Sequence, residues 1–301
     1  SYIDAVKVSN PLLLITGPVA LFVLPIRHKR ILNRMNYYLP FCIIGIFFYQ
    51  IIAAPLTEFF YLINSTDLVS SLIFAIIFEI FVYTNFCGLS LIVYGTFGVL
   101  GYRIPLNFKQ PFSCTNIIDF WKGWHRSLSV VLKTLFYKPL RKRYPQIIAL
   151  LGVYLGSALW HGVTFNFVIW GIFHTLMFYF TLAFLKKKIR LLPTIFLIIS
   201  IVIGRLIFAD SDTDRLLAKL LFDYNGLEEF KRIWFAPSSS IISLFIGIFL
   251  IAIEFLFQKN SNLRRRNYKH LRSPIVMLCL VVIGILLINE TGVDYAVYGQ
   301  R

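Results

Sequence analysis

Five histidines are the first residues in this 301-residue sequence that could do chemistry: His28, His125, His161, His174 and His270. His28 lies in Arg27-His28-Lys29-Arg30 and His270 in a second basic loop, and both read as solvated loop residues. His161 is different. It ends an apolar run in Leu159-Trp160-His161-Gly162, and an ionisable side chain at membrane depth is a functional candidate by default. Gly162 permits the helix to stop there. His125 sits in Asp119-Phe120-Trp121-Lys122-Gly123-Trp124-His125-Arg126-Ser127-Leu128-Ser129, where an interfacial aromatic anchor is the competing reading. His174 lies mid-way along a later apolar run and reads on its own as a packed helix residue.

The chemistry these residues permit is narrow. His161 and His174 are 13 apart, and no HExxH or HxxEH occurs, so no metal site is expected. Gly88-Leu89-Ser90 and Gly156-Ser157 do not make a GxSxG elbow, and no phosphate-binding glycine loop is present. Cys42, Cys87, Cys114 and Cys279 show no CxxC spacing, which argues against zinc and against a disulfide framework. What remains is chemistry that needs only imidazole. A neutral histidine can take a proton from a hydroxyl as that oxygen attacks an acyl thioester.

The elements that must position these residues are membrane helices. The chain is 58% hydrophobic, 17% aromatic and only 15% charged, against roughly 25% charged in an ordinary soluble domain. Apolar runs at 37–55, 145–160, 163–185, 191–208, 239–257 and 274–289 approach the ~20 residues a bilayer requires. Residues 68–101 are too long for one span, and carry Glu79, Asn85, Gly88, Ser90, Gly95 and Gly98, which favour helix contacts over lipid. Residues 10–26, with Gly17 and Pro18, suggest a broken segment. Residues 103–144 read as an interfacial or re-entrant segment of amphipathic helix, and residues 209–238 as a polar loop with a short amphipathic helix near 212–222.

The net charge of +16 would suit a nucleic-acid binder, but its distribution fits orientation instead. Alternating the spans places 23 of the 30 Lys and Arg, and one acid, on one side: 27–36, 102–144, 186–190 and 258–273. That side is expected to be cytoplasmic, with both ends of the sequence facing outward and no role for nucleic acid. Arg205, Glu79 and Glu254 fall within spans.

The run Asn107-Phe108-Lys109-Gln110-Pro111-Phe112, the FWxxWHxSLS stretch from Phe120 to Ser129, Leu159-Trp160-His161-Gly162 and Trp170-Gly171…His174 together resemble the membrane-bound O-acyltransferase (MBOAT) family, in its bacterial branch of alginate O-acetyltransferases and teichoic-acid D-alanylation proteins. Ile15-Thr16-Gly17-Pro18 is similar to the family's re-entrant segment, and Leu206-Ile207-Phe208-Ala209-Asp210-Ser211 to its FRADS element. The resemblance covers nearly the whole chain. It implies an all-α polytopic membrane protein, one domain over 1–301 lacking the first few family helices, with a ring of tilted helices around a central tunnel.

The resemblance also implies roles. His161 falls on the catalytic histidine and would act as general base, and His125 would help place the thioester. Trp121, Trp124, Ser127, Asn85, Trp160 and His174 are candidates for the substrate path. The donor would be acetyl-CoA or an acylated carrier protein arriving from the cytoplasm. The acceptor would be a hydroxyl of an extracytoplasmic polysaccharide or cell-wall polymer at a bacterial cell membrane, with a separate periplasmic or extracellular partner protein. No bound cofactor is expected.

The sequence departs from the pattern at Asn85-Phe86-Cys87-Gly88-Leu89-Ser90-Leu91, where the family carries Asp-Phe-Ser-Gly-x-Ser-Asp, and at Phe208, where it carries arginine. Two rival readings stay open here: a catalytically lapsed scaffold, which those replacements would suit, and a transporter or channel, which the broken helices would suit.

Overall fold

The computed structural model describes residues 24–25, 30–63, 68–189, 191–209, 231–256 and 273–288. His28, His270, the segment 10–23 with Gly17 and Pro18, the helix expected near 212–222 and Asp210-Ser211 lie outside the described residues. Helices dominate. They are α1 (Ile31–Leu62), α2 (Leu68–Leu100), α3 (Ile117–Gly123), α4 (Arg126–Leu132), α5 (Lys138–Arg143), α6 (Gln146–His161), α7 (Phe165–Lys186), α8 (Leu191–Ala209), α9 (Ser238–Leu256) and α10 (Pro274–Ile288). A two-residue antiparallel pairing, Leu24–Pro25 with Tyr102–Arg103, is the only sheet among them. Five helices (α1, α2, α7, α8, α9) are long and apolar enough to cross a membrane, with α6 and α10 shorter.

One expectation is overturned. Residues 68–101 are too long for a perpendicular span, yet α2 is a single unbroken helix of 33 residues, about 50 Å at 1.5 Å per residue. No proline interrupts it, and its glycines are used for packing. A Cβ on Gly88 would lie 2.8 Å from the Gly45 carbonyl oxygen, and a Cβ on Gly45 would lie 2.6 Å from that of Gly88. The two backbones therefore cross in contact, which small residues permit. The same face continues at Gly95 against Cys42 and at Gly98 against the Tyr38 ring.

Helix α1 also exceeds the run 37–55. It turns π-helical over Phe47–Ala53 and continues through Pro55. Proline has no N–H to give to the carbonyl four residues back. The freed Ile51 oxygen instead accepts the Ser243 hydroxyl of α9, so the break in one helix becomes a link to another.

Residues 103–144 are built from short helices and connecting loops. Asn116 caps α3 by accepting the Asp119 N–H at 2.9 Å, and Asp119 pairs with Lys122 at 2.7 Å. Helix α4 runs through a π-helical turn, Lys133–Tyr137, into α5, which ends on Arg141, Lys142 and Arg143. Phe136 of that turn lies over Gly156 of α6, where a Cβ would come within 2.6 Å of its ring. That packing sets the segment bearing His125 against the helix bearing His161.

Candidate functional site

Each histidine has a local reason for its place. Helix α6 has 16 residues, about 24 Å against a hydrocarbon core of about 30 Å. The helix is thus shorter than a full crossing, and His161 is its last residue. Gly162 follows at φ +153°, ψ 173°, a conformation open to glycine alone, and the chain re-enters helix at Phe165. Asn166 then ties this corner to α8, donating to the Ile207 oxygen at 3.0 Å.

His125 stands between α3 and α4 in the left-handed conformation, φ +41° and ψ +51°. Such backbone is uncommon outside glycine and needs support from its surroundings. Asn107 supplies that support. Its Oδ1 accepts the Ser127 hydroxyl at 2.8 Å and the Ser127 N–H at 3.3 Å, and its carbonyl accepts the Arg126 N–H at 2.8 Å. Lys109 N–H adds a bond to the Gly123 oxygen at 2.9 Å. The NFKQPF run is thus a brace under the corner that carries His125.

Glu254 of α9 holds the brace from the other side. Its carboxylate accepts the Tyr83 hydroxyl and the Phe112 N–H, the latter at 3.2 Å. Aromatic rings fill the space between. Tyr83 meets Phe112 edge-on at 5.0 Å, Phe108 meets Trp124 at 5.1 Å, and Phe120 stacks on Trp124 at 5.3 Å.

Both histidines open on one chamber of about 910 Å³, near the upper end of the range for small-molecule sites. Trp121, Trp124, Ser127, Tyr154, Ser157 and Phe208 also line it. His161 packs edge-on against Phe208 at 4.9 Å and lies within electrostatic reach of His125 and Arg205. Among the described residues the charged members of the lining are Lys122, Arg126, Lys133 and Arg205, with no carboxylate. Burial pushes the His125 imidazole down from its ordinary 6.5 to about 4, so it is neutral near pH 7.

The sequence-derived candidates divide. His161, His125, Trp121, Trp124 and Ser127 line the chamber, whereas Asn85, Trp160 and His174 do not. Trp160 is 44% exposed. It adjoins His161, and neighbouring helix positions point about 100° apart, so only one of the two can face inward. His174 is buried behind Trp170, at 4.4 Å between rings, with Nδ1 at 3.1 Å from the Trp170 oxygen. It borders a separate small cavity with Glu79 and Arg205.

Arg205 went unrecognised in the sequence, where it counted only as a charge within a span. It forms a buried ion pair with Glu79 of α2, using Nε and Nη2. The signal was available: an intramembrane base and an intramembrane acid commonly pair, and the three-residue spacing to Phe208 puts both on one helix face.

Fold and site define a polytopic helical membrane protein with an internal histidine-bearing, basic and aromatic chamber. The model of the membrane-bound O-acyltransferase family matches residues 24–208. This chain belongs to that family. A peptidoglycan O-acetyltransferase of Helicobacter pylori is 36% identical over 96 residues, covering 31% of this chain and 18% of the relative. A probable alginate O-acetylase of Azotobacter vinelandii is 28% identical over 54% of this chain and 34% of its own length. A teichoic acid D-alanyltransferase of Bacillus subtilis is 25% identical over 50% and 42%. The chain thus spans less than half the length of these relatives.

Proposed function

We propose that this protein moves an acyl group, acetyl in the first instance, from a thioester to a hydroxyl of an extracytoplasmic polysaccharide or cell-wall polymer. The observation that carries the reading is the meeting of His125 and His161 in one chamber of a family member. The names of the relatives agree in reaction type, two O-acetyl transfers and one D-alanyl transfer, all onto polymers.

In this reading the donor is acetyl-CoA or an acylated carrier protein. It enters from the side of Lys122, Arg126 and Lys133, whose charges suit its phosphates. That side is cytoplasmic by the positive-inside rule, and the membrane is the bacterial cell membrane. His161 takes the proton of the acceptor hydroxyl as its oxygen attacks the thioester carbonyl. Neutral His125 orients the acyl carbonyl, and a separate extracytoplasmic partner protein presents the polymer. Asn85 and Leu91, where the family's acids are replaced, stand outside the chamber lining. Phe208, the third departure, does line the chamber beside His161, and the competent site is supported by the retention of both histidines there.

The test is polymer O-acylation in cells carrying the full-length gene, measured as acetate released by mild alkali. His161→Ala is expected to abolish release at unchanged membrane abundance. Unchanged release would refute the role of His161.

A further inference from the structure

Arg205 is buried, at 8% exposure, yet borders two cavities. It shares the small one with Glu79 and His174 and the large chamber with His125 and His161. Glu79 lines only the small one. The guanidinium therefore stands as a partition between them. Its bonds to Glu79 occupy Nε and Nη2 on one side. Nη1 makes no hydrogen bond among the described residues and keeps some accessible surface, in a residue that lines the chamber. Cζ lies 4.8 Å over the Trp124 ring and 5.8 Å from the Phe208 ring, against whose face His161 also packs. The ion pair and two aromatic rings thus hold a guanidinium with one spare nitrogen in the wall of the chamber that His125 and His161 share.

A fixed cationic donor at such a place has a specific use. We propose that Arg205 holds the oxyanion of the acyl-transfer step. This role rests on the acyltransferase reading above and deepens it. The acceptor oxygen gives its proton to His161 and bonds to the thioester carbon. The carbonyl π pair moves onto oxygen, and the Arg205 Nη1–H groups bind the resulting charge. Collapse restores the carbonyl and breaks the carbon–sulfur bond, and the leaving thiolate takes the proton back from His161. Ester and thiol are the products. Glu79 keeps the guanidinium oriented without entering the chamber, and preorganised donors of this kind typically contribute 10²–10³ in kcat.

The test avoids orphaning a buried carboxylate by removing both charges at once, in Arg205→Gln with Glu79→Gln. The probes are two coenzyme A thioethers, S-carboxymethyl, whose carboxylate lies one bond beyond the position of the thioester carbonyl carbon, and S-propyl, which is neutral. The same pair on phosphopantetheine distinguishes a carrier-protein donor from free coenzyme A. Wild type is expected to prefer the carboxymethyl form about tenfold or more, as a charge-assisted hydrogen bond would give. The double variant should keep its affinity for the propyl form and lose the preference, while Arg205→Lys keeps part of it. A misfolded double variant would lose both ligands together, and Arg205→Lys then decides: an undiminished preference would assign it to Lys122, Arg126 and Lys133 and overturn the role of Arg205. A wild type that binds both forms equally would overturn the role of Arg205 while leaving the donor reading intact. Binding of none of the four would overturn the donor reading, and this role with it.

Discussion

Glu254 lies outside the stretch matched by the family and far from either histidine in sequence, so the brace it forms can be tested independently of any activity. Glu254→Ala removes the acceptor of two buried hydrogen bonds, from the Tyr83 hydroxyl and the Phe112 N–H. Each such bond contributes about 1–2 kcal/mol, and a buried donor left without an acceptor adds to the loss. The expected destabilisation is about 3–4 kcal/mol. Tyr83→Phe removes one of the two bonds and should lose about 1–2 kcal/mol. Because both changes remove the same bond, the double variant should be less unstable than the sum by about 1 kcal/mol. The assay is reversible unfolding in mixed detergent micelles with rising dodecyl sulfate, followed by tryptophan fluorescence, to which Trp124 contributes through its contacts with Tyr83 and Phe112. Additivity of the two changes within ~0.3 kcal/mol would refute the linkage between α9, α2 and the 105–116 loop.

Three further outcomes follow from the geometry. Gly45→Val drives a side chain into the Gly88 carbonyl and should destabilise by at least ~1–3 kcal/mol, whereas a valine at lipid-facing Ile76 should leave the same unfolding assay within ~0.5 kcal/mol. His125 titrates near 4 when folded and near 6.5 when unfolded, so the unfolded chain binds the extra proton between those values. The His125 contribution to stability should fall as pH drops from about 6.5 towards 4 and be constant above, and His125→Asn should remove that part of the slope in a pH series of the unfolding assay. His125→Asn should also tolerate the left-handed backbone, while His125→Val should lose at least ~1–2 kcal/mol relative to it, since a β-branched residue is strained there.

The helices were legible because bilayer length and apolarity act locally. The expected runs 145–160, 163–185 and 191–208 fall within two residues of α6, α7 and α8. The length of α2 misled because a helix packed on both sides need not stand upright in the bilayer. His125 and His161 stood out through their neighbours in sequence, and so did Trp121 and Trp124. The pairing of Arg205 with Glu79 across 126 positions, and of Glu254 with Tyr83 across 171, did not. No local periodicity encodes a partner at that distance. Asn85 opens the stretch matching the family's Asp-Phe-Ser-Gly-x-Ser-Asp and Trp160 belongs to the Leu-Trp-His-Gly run, but in each case the next side chain along the helix, Phe86 or His161, is the one that lines the chamber.

Every charged residue described in the chamber lining is cationic, which bears on the membrane as well as on the substrate. A water-accessible cavity in a bilayer is a route for leakage, and cells run on gradients of protons and sodium. Fixed guanidinium and ammonium charges along its walls repel small cations and admit anions, the principle by which arginine at a constriction excludes protons from water pores. Lys122, Arg126, Lys133 and Arg205 would therefore also insulate: a protein can hold a large cavity open within a membrane without short-circuiting the membrane around it.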